Sequence, residues 1–181
     1  MENLLARANE WAPGTTTEMA QLVAHLDAAH NLARWLLRNR EGAEDAVQEA
    51  YLRACSHIKS FRGGDSRAWL LAIVRNCCYD RIRQGAAREN TALDEDIHGA
   101  GVDTPTPETS LLRKQEVEGV RHALQQLPTD FREVLILREF EEMSYSQIAA
   151  VVQIPMGTVM SRLSRARQQL QQLVLASQSR S

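Results

Sequence analysis

The side chains of this sequence best suited to act on a partner are polar and cationic groups at helical intervals. Between Ser144 and Arg167 the chain reads S-Y-S-Q-I-A-A-V-V-Q-I-P-M-G-T-V-M-S-R-L-S-R-A-R. Thr158, Ser161, Arg162 and Arg165 fall on one side of a 3.6-residue repeat, and Val159, Leu163, Ala166 and Leu170 fall on the other. Hydroxyls exchange hydrogen bonds with base edges and guanidinium groups pair with guanine or phosphate, so the first face could line a groove of duplex DNA. From Ser144 to the C-terminus every formal charge is an arginine. A solvated amphipathic face would share this spacing, but DNA reading uses more of it.

Catalytic and metal chemistry find no such support. The sequence has no P-loop, no G-x-S-x-G and no H-E-x-x-H. Cys55, Cys77 and Cys78 have neither metal-ligand spacing nor the makings of a disulfide framework, so the compartment reads as reducing. Cys55 and Cys77 are expected to pack as small apolar groups, with a redox role left open. The expectation is a protein that is no enzyme and takes no cofactor and no metal. No apolar run approaches the roughly 18 residues of a membrane span, and no signal segment precedes the first periodic run, so a soluble cytoplasmic protein without membrane insertion is expected.

These groups need elements to aim them. Ile148, Ala149 and Val152 keep helical spacing, the pattern breaks at Gln153 to Pro155, and a second helix starts near Pro155, whose missing N–H costs nothing in a first turn. Helix, tight turn, helix is the reading. Upstream, residues 1–17 hold Pro13, Gly14 and three threonines in a row and read as a disordered lead-in. Periodic apolar residues then run from Met19 to Leu36, with a break at Gly42. Ala46, Val47, Ala50, Tyr51, Ala54 and Ile58 form the inner stripe of a second helix, whose outer face carries Glu44, Asp45, Gln48, Glu49, Leu52 and Arg53. Gly63 and Gly64 impose a loop before a third helix from Arg67. That helix turns Trp69, Leu70, Ile73, Val74, Cys77 and Ile82 inward, leaves Arg75, Asn76, Tyr79, Arg81 and Arg83 to a partner, and fades at Gly85.

Charge is segregated although the net charge is only -2. Six arginines face two acids between Arg62 and Arg88, whereas Asp94 to Glu108 holds five acids and no base. The acidic stretch, rich in Gly, Thr and Pro, reads as a flexible linker over 87–107. Beyond it, Pro107 and Glu108 open a helix using Leu111, Leu112, Val117, Val120, Leu124 and Leu127, and a short helix from about Asp130 leads into the helix-turn-helix. The fold class is all-α: a helical domain at 18–86, the linker, a helix-turn-helix domain at 108–175, and a tail at 176–181.

The run A-E-D-A-V-Q-E-A-Y-L-R-A at 43–54, F-R-G-G at 61–64, W-L-L-A-I-V-R-N at 69–76 and L-P-T-D-F-R-E-V-L-I-L-R at 127–138, followed by the helix-turn-helix, resembles the extracytoplasmic function group of bacterial sigma-70 factors. The resemblance covers roughly residues 18–173 and lies in the order of the motifs. It implies a factor that binds core RNA polymerase, through the beta-prime clamp and the beta subunit, and directs promoter recognition, opening and transcription initiation. Glu44, Asp45, Gln48 and Glu49 would dock on the clamp, and an acidic face suits a basic partner surface and repels phosphate. Arg62, Arg67, Arg75, Asn76, Tyr79 and Arg83 would bind single-stranded minus-ten DNA. Thr158, Ser161, Arg162 and Arg165 would read the duplex minus-thirty-five element. The resemblance also implies an anti-sigma factor as partner.

Three departures stand out. The loop between Arg62 and Ala68 looks one residue short, which leaves the holder of a flipped base open. Met160 stands where an arginine is frequent. Gln153 occupies a turn position where glycine is common, because positive φ costs glycine nothing. A reading from another class remains beside the resemblance: a homodimeric helix-turn-helix repressor or activator, which would protect a palindromic site by itself.

Overall fold

The structure, a computed structural model, describes residues 19–61, 63–89 and 110–178. The expected lead-in at 1–17, Arg62 and most of the expected linker lie outside the described residues. All described elements are helices joined by turns, the all-α class expected. A helical turn at 19–23 leads into α1 (Leu26–Leu37), α2 (Arg40–His57), a 3₁₀ turn (Ile58–Ser60) and α3 (Ser66–Glu89). Then come α4 (Ser110–Gln126), α5 (Thr129–Leu135), a π-helical turn (Ile136–Phe140), α6 (Tyr145–Val152) and α7 (Met156–Gln178).

Alanine decides how closely the first three helices meet. Ala28, Ala29 and Ala33 on α1 and Ala43, Ala46, Ala50 and Ala54 on α2 are buried, so the helix axes approach and close on Leu70, Leu71, Val74, Cys77 and Cys78 of α3. Local chemistry sets the ends. Arg38 closes α1 in the left-handed region at φ 59, with its N–H on the Arg34 carbonyl. Asn39 then caps α2 by accepting from Gly42 N–H at 2.8 Å. Gly63 at φ 83 and Gly64 at φ 106 make the turn into α3, where Asp65 accepts from Ala68 N–H at 2.9 Å.

Four boundary or facing expectations need correction. The first helical run is interrupted by a turn at 24–25, where His25 lies at φ -106 and ψ 6 and its ring meets Ser66 Oγ at 3.1 Å. Helix α3 continues past Gly85 to Glu89, since a mid-helix glycine costs only about 1 kcal/mol and Ala86 and Ala87 follow it. Val117 and Val120 on α4 point outward, 60% and 41% exposed, because Ala123 and Leu124 make the buried contacts of that helix, continued by Leu127 just after it. Helix α7 runs to Gln178, into the expected tail.

The helix-turn-helix forms where the spacing places it. Ser144 and Gln147 make a reciprocal capping box at the start of α6. Gln153 ends α6 at φ 60, and the Pro155 carbonyl receives Thr158 N–H and Val159 N–H at 2.9 and 3.1 Å to open α7. The α1–α3 group and the α4–α7 group also touch, through α3 against α6 and α1 against α5 and the π turn.

Candidate nucleic-acid interface

Each candidate face is aimed by the packing behind it. On α7, burial of Val159, Leu163 and Ala166 turns Thr158, Ser161 and Arg165 outward, and all three are exposed. Ser161 Oγ donates to the Thr158 carbonyl at 3.0 Å, and its oxygen can still accept. Arg162 departs from this face. Its Nε lies 3.7 Å from Asp130 Oδ2 and its Nη1 lies 3.6 Å from Glu133 Oε1. It borders the buried stripe, and a long side chain there reaches back to a buried carboxylate, where attraction is stronger than in water.

Glu133 is the centre of that cluster. It is 1% exposed, and Arg75 of α3 donates to it through Nε at 2.9 Å and Nη2 at 3.3 Å. The Arg75 guanidinium also lies 4.4 Å from the centre of the Tyr79 ring. Burial pushes the Glu133 carboxyl up, while Arg75, Tyr79 and Arg162 pull it back. Burial, and then the Glu133 charge, holds the Tyr79 hydroxyl above its ordinary value. Arg75 and Arg162, assigned by sequence to two different DNA sites, therefore meet at one carboxylate, with the Tyr79 ring against Arg75.

A second acid does the same at the start of α3. Arg67 donates to the Glu141 carbonyl at 2.8 Å and to its carboxylate, which also accepts from the Asn31 side chain. Gln147 of α6 donates to Asp65 at 2.6 Å. Of the remaining minus-ten candidates, Asn76 is exposed, Arg83 is exposed and paired with Asp80, and Arg62 lies outside the described residues.

The seam also contains repulsion. Arg132 is 1% exposed, and its hydrogen bonds go to the Gln125 carbonyl at 2.9 Å and Thr129 Oγ1 at 3.3 Å. Arg38 of α1 donates to the same Gln125 carbonyl. No carboxylate pairs with Arg132 among the described residues, and burial together with Arg38 brings it down to about 10. A buried cation without a counter-charge is costly.

The α2 candidates stay together on one side. Glu44, Asp45 and Gln48 are exposed and Glu49 is half-buried. Glu44 pairs with Arg40 at 2.8 Å, Glu49 with Arg53 at 2.5 Å, and Arg81 of α3 stands 3.5 Å from both Asp45 and Glu49. Leu52, 56% exposed beside them, is an apolar centre to a charged rim. The sequence placed Leu52 outward and gave it no role, although a leucine four residues after Gln48 on a polar face was a usable signal. Glu133 and Glu141 were missed altogether. A charged Arg132-Glu133 pair inside the apolar run from Phe131 to Leu137 could have marked them, since buried charges need partners.

Among the described residues no cluster of three or more His, Cys, Asp or Glu could hold a metal ion, and no helix is long and apolar enough to cross a membrane. Residues 22–88 match the family described as Sigma-70 region 2, and residues 118–170 match Sigma-70, region 4. The ECF RNA polymerase sigma factor SigE of Mycolicibacterium smegmatis is 33% identical over 81% of this chain, which spans 57% of that protein's length. The ECF RNA polymerase sigma factor EcfG of Rhodopseudomonas palustris is 34% identical over 90% of this chain and 87% of its own. The structure resembles that of the sigma factor RpoE from Bartonella quintana in complex with the anti-sigma factor NepR, at a TM-score of 0.71 and 31% identity, covering 86% of this chain and 94% of that one. With region 2 spanning α1–α3, region 4 in α4–α7 and such relatives along most of its length, the chain belongs to the extracytoplasmic function group of the sigma-70 family, the alternative sigma factors of promoter recognition and transcription initiation.

Proposed function

We propose that this chain works in the cytoplasm as a non-enzymatic subunit of RNA polymerase and divides its work among three helix faces. Helix α2 docks on the beta-prime clamp through Glu44, Asp45, Gln48 and Glu49, with Leu52 at the centre of the contact. Helix α3 and the loop before it bind the single-stranded minus-ten element through Arg62, Arg67, Arg75, Asn76, Tyr79 and Arg83. Helix α7 reads the minus-thirty-five duplex through Thr158, Ser161 and Arg165, with Arg162 joining once it leaves Glu133.

The observation that carries this reading is the separation of charge by helix, with acids outward on α2 and arginines on α3 and α7. A phosphate chain is repelled by the first and drawn to the others. Because Arg75 of α3 is held by Glu133 of α5, freeing Arg75 for promoter DNA requires the two helix groups to part. An anti-sigma factor, of the kind bound to the Bartonella relative, is a further partner.

Transcription in vitro tests the reading. Purified chain plus core polymerase should start specific transcripts from promoters of its own genome. Arg165→Ala should weaken upstream duplex binding by about 1 to 3 kcal/mol if its guanidinium reads a guanine, while sparing single-stranded minus-ten binding. Asn76→Ala should do the reverse. Absence of any specific transcript sinks the proposal, and equal damage to both templates sinks the division of labour.

A further inference from the structure

The groove end of α7 is uncharged, and its largest exposed groups are apolar. Met156 and Met160 are 52% and 50% exposed, and at a spacing of four residues they stand one above the other on the same side of the helix. The exposed residues that follow them round the helix are Ser164, Gly157 and Ser161, all small and uncharged. The three arginines of the helix come later and two are occupied, Arg162 by Asp130 and Glu133 and Arg167 by Glu139 at 2.7 Å. A single exposed apolar residue needs no explanation, but two aligned methionines at the end of a reading helix invite one.

In a helix-turn-helix the first residues of the second helix reach base edges. Guanine is read there by a guanidinium or ammonium group, which residues 156–161 do not carry, whereas thymine offers the major groove a C5 methyl group. Methionine is flexible and polarizable and packs against such a group without needing one fixed geometry. We propose that Met156 and Met160 are specificity-determining residues that contact thymine methyl groups in the upstream element, so that this factor selects T·A pairs by apolar contact at positions where an arginine would select guanine. The inference rests on the assignment of α7 to the minus-thirty-five duplex.

The test uses the full chain assembled with core polymerase. Upstream elements are first enriched from a random duplex library, and each thymine in the enriched sequence is then replaced by deoxyuridine, which removes only the methyl group. One or two replacements should weaken binding about fourfold, the factor expected from burying one methyl group. The same replacements should cost a Met156→Ala/Met160→Ala variant nothing, and Met160→Arg should shift the enriched sequence toward guanine. Both methionines are half exposed, so an unchanged thermal melt should accompany the substitutions. Tolerance of every deoxyuridine by the unsubstituted chain, or sensitivity that persists in the double alanine variant, overturns the proposal while leaving α7 as the reader. Enrichment of no upstream element at all, or binding indifferent to Arg165→Ala, overturns the assignment of α7 and the methionine contact with it.

Discussion

Gln153 holds the turn between α6 and α7 at φ 60, a region that costs an L-residue roughly 1 to 2 kcal/mol and costs glycine nothing. Its side chain is exposed, so little packing offsets that strain. Gln153→Gly should therefore stabilise the chain by about 1 kcal/mol, visible as a higher denaturant midpoint at unchanged slope. His25 offers a prediction in pH. Burial first, and the Arg67 charge second, lower its pKa from 6.5, with Asp65 opposing. The unfolded chain then binds the proton more readily than the folded one, so stability is full above about pH 6.5 and falls as the pH drops toward the lowered value. His25→Gln should flatten that slope in urea titrations at a series of pH values, and an unchanged slope would assign it to other groups.

At the scale of elements, the outward face of α2 is acidic. Asp45→Arg together with Glu49→Arg should weaken binding to a beta-prime clamp fragment at least tenfold. The fold should survive, because the exposed pairs with Arg81 and Arg53 contribute only about 0 to 1 kcal/mol each. Unchanged affinity would show that another face docks. Much of this level was legible in the sequence. The apolar stripe of Val159, Leu163 and Ala166, the break at Gln153 and the acids of α2 are local patterns within one or two turns. What was not legible joins distant residues: Arg75 meets Glu133 58 positions away and Arg67 meets Glu141 74 positions away. No periodicity encodes which groove receives a charge. Hence Arg162 was read as facing DNA when the fold turns it to Glu133.

For the whole molecule, the seam between the helix groups sets attraction at Glu133 and Glu141 against repulsion at Arg38 and Arg132. Glu133→Gln should loosen it, because two guanidinium groups lose their counter-charge. A distance measurement between spin labels on exposed sites of α2 and α7 should then show a broader, longer distribution than the unsubstituted chain, and an unchanged distribution would mean that apolar packing alone holds the groups together. The shared carboxylate has a further consequence, for affinity. If only the parted arrangement binds promoter DNA, the measured dissociation constant is the intrinsic one divided by the fraction parted. A hundredfold preference for the joined arrangement would hide both reading helices behind a hundredfold weaker apparent affinity, with no defect in either. Core polymerase, by binding the parted form, would recover that factor, and by reciprocity promoter DNA would tighten the hold of the factor on polymerase by the same amount. Glu133 would then couple two binding events without belonging to either site, and its replacement should shrink that coupling more than it changes either contact.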